Sequence, residues 1–158
     1  MATTDNGTQP ILQTEHLTRT VEETQLVDDI SIAVQQGELL AIIGPSGAGK
    51  SSFLRLLNRL DEPTAGTVYL DGQDYRTIPP HALRRRVGMV MQAPYLFPGT
   101  VTANLRYGPA QRGETLTADT VEQLLNRVGL AGYGDREISR LSGGEAQRVS
   151  LARTLANN

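Results

Sequence analysis

A single lysine stands among the 158 residues, and it closes a glycine loop. Gly44-Pro45-Ser46-Gly47-Ala48-Gly49-Lys50-Ser51, followed by Ser52, fits G-x-x-x-x-G-K-[ST] at every fixed position. Glycines let such a backbone curl so that successive N–H groups face phosphate oxygens. A helix beginning near Gly49 adds unpaired N–H groups and the positive end of its dipole. Lys50 can then reach the terminal phosphates, and the Ser51 hydroxyl suits Mg²⁺. A plain turn from strand to helix needs no lysine there, where its charge opposes the dipole. Phosphate binding is the stronger reading.

A second group lies far downstream, at Ser142-Gly143-Gly144-Glu145. Ser-x-x-Glu is a capping box, which accounts for Ser142 and Glu145. It does not account for two consecutive glycines in a first helical turn, each costly against alanine. Paired glycines clear side chains from a helix start and let an anion approach the amides. Both readings can hold together.

The elements that must position these groups follow from the pattern of the chain. Leu39 to Ile43 is an unbroken apolar run and predicts a strand buried on both faces. Phe53, Leu54, Leu57 and Leu60 recur at helical spacing, with Pro63 and Gly66 closing the segment. Ile11 to Leu17, the alternating Ile30 to Val34, and Thr67 to Leu70 predict further strands, the last ended by the turn pair Asp71-Gly72. Pro79 and Pro80 open a short helix whose Arg84-Arg85-Arg86 run reads as a solvated face. Val87 to Met91 predicts another apolar strand, ending at Gln92. Beyond it come a short helix over Thr102 to Arg106 and a longer one capped by Thr117. The longer helix carries Val121, Leu124, Leu125 and Val128 as its stripe and stops at Gly129. A last helix places Val149, Ala152 and Leu155 on one face. The expected organisation is a polar leader over 1–10, a strand-rich nucleotide-binding core over 11–92, and a helical subdomain over 93–158. The first part is expected to form half of an open α/β sheet.

Bulk properties narrow the field. A net charge of −2 argues against a general nucleic-acid binder, and none is expected as partner. There is no cysteine, hence no disulfide and no thiolate metal site. The apolar runs are too short for a membrane span, and the N-terminus lacks the layout of a signal peptide. A cytoplasmic protein is expected, with any membrane link made through a partner.

With GPSGAGKSS, Gln92 and LSGGEAQR in this order and at this spacing, the chain resembles an ATP-binding cassette (ABC) ATPase from Ile11 to its end. The resemblance implies an α/β P-loop NTPase fold, with Walker A loop, Q-loop and signature. It implies ATP and Mg²⁺ as cofactors. Lys50 and Ser51 would hold the phosphates and the metal, and Gln92 would contact Mg²⁺ or the attacking water. Two subunits would pair head to tail, with Ser142, Gly143 and Gly144 closing on the γ-phosphate held by the other. GEAQR is similar to the import branch, and the loop region to phosphate-type and related small-solute importers. The segment from Gln92 to Leu105, with Tyr95 and Phe97, would receive a transmembrane permease subunit on the inner face of the membrane, or else Tyr95 and Phe97 pack locally.

Two departures qualify that expectation. Val21, beside Thr20, stands where the family usually stacks an aromatic on adenine, so an apolar contact remains without π-stacking. ATP and GTP are therefore expected to bind within about tenfold of each other, a gap of ~1.4 kcal/mol. The sequence also stops at Asn158, ahead of the Walker B strand, catalytic glutamate, D-loop and switch histidine; His16 and His81 read as surface residues. The expectation is the N-terminal part of a longer cassette, inactive alone, with an unpaired sheet edge. A soluble non-transport ABC protein and a non-hydrolysing nucleotide-binding fragment are the alternatives.

Overall fold

A computed structural model describes residues 9–157, and contacts divide the chain into two compact units between Val87 and Gly88. Most of the expected leader lies outside the described residues.

The first unit is built on β1 (Leu12–Val21), β2 (Thr24–Val34), β3 (Ala65–Leu70) and β4 (Gln73–Asp74), in the order β2-β1-β3-β4. Every pairing is antiparallel, so these strands do not form the expected half of an open α/β sheet. β1 outruns its predicted end at Leu17 because β2 folds back along its whole length, from Leu12 opposite Val34 to Val21 opposite Thr24. The ladder shifts register where His16 and Asp29 both take positive φ, 49° and 47°. Side chains satisfy the freed amides there: the Ser31 hydroxyl accepts the His16 N–H at 2.9 Å, and Thr18 accepts that of Asp29 at 3.1 Å. Asp71 and Gly72, at φ 48° and 73°, make the two-residue turn between β3 and β4.

Two apolar runs expected as strands do not form them. Leu39 to Ile43 enters no strand pairing, and Leu39 and Ile43 are 94% and 91% exposed rather than buried. Val87 to Met91 is likewise irregular, so Gln92 ends no strand. A strand needs a neighbour to complete its hydrogen bonds. Neither run is hydrogen-bonded into the sheet, although its order leaves β2 and β4 with one neighbour each.

α1 (Lys50–Leu57) and α2 (Pro80–Arg86) pack on the first unit's core of Leu17, Val27, Val68, Tyr75 and Leu83. α1 buries Phe53 and Leu56; Leu54 and Leu60 of the predicted stripe are exposed. The helix stops at Asn58, well before Pro63, because Arg59 turns to φ 56°. Pro80 takes the first turn of α2, where a missing N–H is harmless. Arg84 is not merely solvated: its guanidinium donates to the carbonyls of Asn58 and Arg59 at 3.3 and 2.6 Å, capping the end of α1.

The second unit is helical: α3 (Val101–Ala110), α4 (Ala118–Arg127) and α5 (Gly143–Leu155). α3 starts one residue before and ends four after its predicted bounds. Thr100 and Thr117 cap α3 and α4 through their hydroxyls. Val101, Leu105, Val121, Leu125, Val149 and Ala152 form the core. Asn104 is buried among them and is fully used. Its Oδ1 accepts the Phe97 N–H, and its Nδ2 donates to the Phe97 and Thr100 carbonyls, all within 2.9–3.0 Å.

Tyr75 tests the packing of the first unit. It is wholly buried, its hydroxyl finds no hydrogen-bond partner among the described residues, and burial pushes its phenol up to about 12. Tyr75→Phe removes an unsatisfied polar atom and keeps the ring. It should stabilise the fold by about 1 kcal/mol, raising Tm by roughly 2–4 °C. A lowered midpoint in thermal unfolding would show instead that the hydroxyl is bonded.

Candidate functional site

The loop from Gly44 to Ser51 is shaped by left-handed backbone that favours glycine. Gly47 and Gly49 sit at φ 82° and 78°. A Cβ on Gly49 would collide with the backbone carbonyl of Leu26 in β2, so strand and loop meet main chain to main chain. Gly49 is also the N-cap of α1, with no side-chain cap and no acidic residue in the first turn. The first amides of α1 are therefore left without the side-chain oxygen that usually satisfies them. The Ala48 N–H closes the loop onto the Pro45 carbonyl at 3.3 Å, and the Phe53 N–H makes the first helical bond to Gly49 at 2.8 Å.

Lys50 folds back over this loop. Its Nζ donates to the carbonyls of Gly44 and Pro45 at 2.8 and 2.6 Å, which holds the ammonium at the loop's mouth. A cleft of about 690 Å³ lies alongside, lined by Gln25, Val27, Asp28, Ile42 and the residues from Gly47 to Lys50. That volume is in the range of small-molecule sites. Ser51 is exposed and Ser52 half-buried in the first turn, while Pro45 and Ser46 form the exposed bend. Val21 ends β1 with its side chain 41% exposed and does not line the cleft.

Gln92 and the Ser142 group belong to the second unit. Gln92 is exposed, and the carbonyl just before it, on Met91, accepts the Gln147 Nε2–H of α5 at 2.8 Å. Ser142, Gly143 and Gly144 are exposed at the start of α5, where the capping box is complete. The Ser142 Oγ accepts the Glu145 N–H at 3.3 Å, and Glu145 Oε2 accepts the Ser142 N–H at 2.7 Å. Glu145 Oε1 accepts the Tyr133 O–H at 2.8 Å, with Arg136 at 4.0 Å. Nearby, Tyr95 is 75% exposed, whereas Phe97 packs locally on Tyr107, centroids 4.3 Å apart, and under Arg153.

Tyr133, Arg136 and Gln147 escape a reading of the sequence. The turn that brings Tyr133 onto Glu145 follows no spacing rule. Gln147 shows only as a polar residue on a helix.

The bonds from the Ser142 backbone and side chain, then from Tyr133, push the Glu145 carboxyl down from 4.5 to about 2. A group whose folded value is depressed contributes stability above its unfolded value and loses it as pH falls through the folded one. The Glu145 contribution should thus be intact above about pH 4.5 and vanish toward about pH 2. Glu145→Gln, with no proton to take up, should show a shallower loss of unfolding free energy over that window in acid titrations. Parallel curves for the two proteins would contradict the assignment.

Comparison with known proteins identifies the family of the chain. A family model described as ABC transporter matches residues 27–158. The chain is 47% identical over 154 residues to ABC transporter I family member 17 of Arabidopsis thaliana, covering 96% of this chain and 59% of that protein. It is 44% identical over 147 residues to the phosphate import ATP-binding protein PstB 2 of Natronomonas pharaonis, covering 84% of this chain and 52% of that one. Among solved structures, a bacterial Atm1-family ABC exporter with ATP bound superposes with a TM-score of 0.83 at 32% identity, over 99% of this chain and 29% of the other. This chain belongs to the ABC transporter family and has the P-loop NTPase fold of its nucleotide-binding domains.

Proposed function

We propose that the protein binds ATP with Mg²⁺ at the Gly44–Ser52 loop and is the ATP-hydrolysing subunit of a membrane transporter. The uncapped start of α1 beside a lysine that bonds only loop carbonyls carries this reading. Phosphate oxygens would take the amides of Gly47 to Ser51 and draw Lys50 off the Gly44 and Pro45 carbonyls. The exchange replaces neutral acceptors with charged ones, which bind an ammonium more strongly.

No three acidic or histidine side chains among the described residues could hold a metal ion by themselves. Mg²⁺ bound through phosphates needs no such cage, keeping waters and few protein ligands. Ser51, exposed next to Lys50, fits that role, and the family pattern would add the amide oxygen of Gln92. Bound Mg²⁺ would offset charge on the phosphates while Lys50 and the amides orient them; Gln92 would position the water.

The remaining parts follow the family. A second copy would bring Ser142, Gly143 and Gly144 onto the phosphates held at Lys50, so that ATP joins two subunits. No helix among the described residues is long and apolar enough to cross a membrane, and the link would run through a permease subunit at Gln92 to Leu105 on the cytoplasmic face. Exposed Tyr95 supports that contact. Import of phosphate or another small solute is favoured by relatives such as PstB 2, and export by the Atm1-family likeness in fold is the second reading.

Titration with ATP and GTP tests the core of this proposal. Lys50→Ala should weaken ATP binding by about 10- to 100-fold, the worth of one charge-assisted contact. GTP should bind within about tenfold of ATP, because Val21 offers no aromatic face. Absence of ATP binding by the unsubstituted chain would overturn the proposal, and a far larger preference for ATP would overturn the Val21 argument.

A further inference from the structure

Ser142 has one hydroxyl hydrogen, and it is already committed. The Oγ donates to Glu145 Oε2 at 2.7 Å, the same oxygen that accepts the Ser142 N–H. Phosphate oxygens are acceptors and need donors. At the start of α5 two donors, the hydroxyl and the Ser142 amide, are therefore held by a carboxylate of the same chain. That carboxylate also sets a negative charge against the positive end of the helix.

A capping box explains one oxygen of Glu145 and leaves the other free to turn toward water. Here the other is tied down. Oε1 accepts the Tyr133 O–H at 2.8 Å, and the Arg136 guanidinium lies 3.7 Å over the Tyr133 ring and 4.0 Å from the same oxygen. The Glu145 side chain is only 18% exposed as a result. Bulk does not close the helix start: a Cβ on Gly143 would meet nothing within 4 Å, and one on Gly144 would meet only the tip of Arg148. Approach to these amides is governed by hydrogen bonding and charge.

We propose that Tyr133 is a positioning residue that latches the Glu145 carboxylate onto Ser142, making Glu145 an internal competitor of phosphate at the start of α5. The inference rests on the proposed role of Ser142, Gly143 and Gly144 in meeting phosphate. Loosening of the Glu145–Ser142 contact would then accompany nucleotide-dependent closure. Tyr133 and Arg136 set how readily it occurs.

The test is a titration of the isotope-labelled full chain with inorganic phosphate, followed at the backbone amide signals of Gly143 and Gly144. Glu145→Gln keeps the shape of the side chain and removes the competing charge; the dissociation constant read at these amides should fall by about tenfold. Tyr133→Phe keeps the ring under Arg136 and deletes only the latch; it should tighten phosphate by about threefold. A purely structural Tyr133 would change the unfolding midpoint and leave phosphate binding unmoved. The proposal is overturned if both variants fold and titrate within about twofold of the unsubstituted chain, or if phosphate shifts these amides in none of the three. An ATP titration at the Gly47 and Gly49 amides, compared with Lys50→Ala, reports separately on the nucleotide site, so loss of that reading is distinguishable from loss of this one.

Discussion

The carbonyl of Leu26 in β2 lies against Gly49, and the shape of the loop proposed to meet phosphate depends on that contact. No side chain fits between them, so the residue must be glycine, and glycine readily holds the left-handed φ of 78° found there. An ordinary N-cap serine or aspartate would satisfy those amides from within. Excluding it leaves them free for an external anion. β2 thus does more than cover the core: its backbone dictates which residue can begin α1.

The two helices assigned to phosphate begin in opposite ways. α1 has no side-chain cap, and Lys50 is spent on carbonyls of its own loop. α5 has a complete cap, and its acceptor is an anchored carboxylate. In each case the groups that would meet phosphate are held in order by internal partners of the matching sign. The partners differ in strength, however. Two neutral carbonyls yield to a phosphate readily, whereas a carboxylate competes with it on nearly equal terms.

How much could be seen in the sequence depended on range. The Asp71-Gly72 turn, the Pro80 start of α2, the Thr117 cap and the Ser142 box are all decided within four residues, and each is present. The glycine loop was legible for the same reason. Leu39 to Ile43 and Val87 to Met91 read as strands because apolar runs show what would be buried, not what pairs with it. Here neither finds a ladder partner among the described residues. The face of α1 was misjudged by a fraction of a turn, because Leu54 and Leu60 match the helical period as well as Leu56 does. Arg84 looked solvated because its carbonyl partners on Asn58 and Arg59 lie some 25 residues back in the chain.

The same limit of range explains why Tyr133 and Gln147 could not be anticipated, and why they matter. Each makes its one strong bond outside its own element: Tyr133 to Glu145, and Gln147 to the Met91 carbonyl that precedes Gln92. α5 is therefore held at Glu145 by a residue from the preceding loop, and two residues later by the backbone next to Gln92. Gln147 lies two residues beyond Glu145 on α5, so the backbone beside Gln92 and the Tyr133 hydroxyl both bond to the same end of that helix. Neither bond is set by a local spacing, because each joins segments that only the folded second unit brings together.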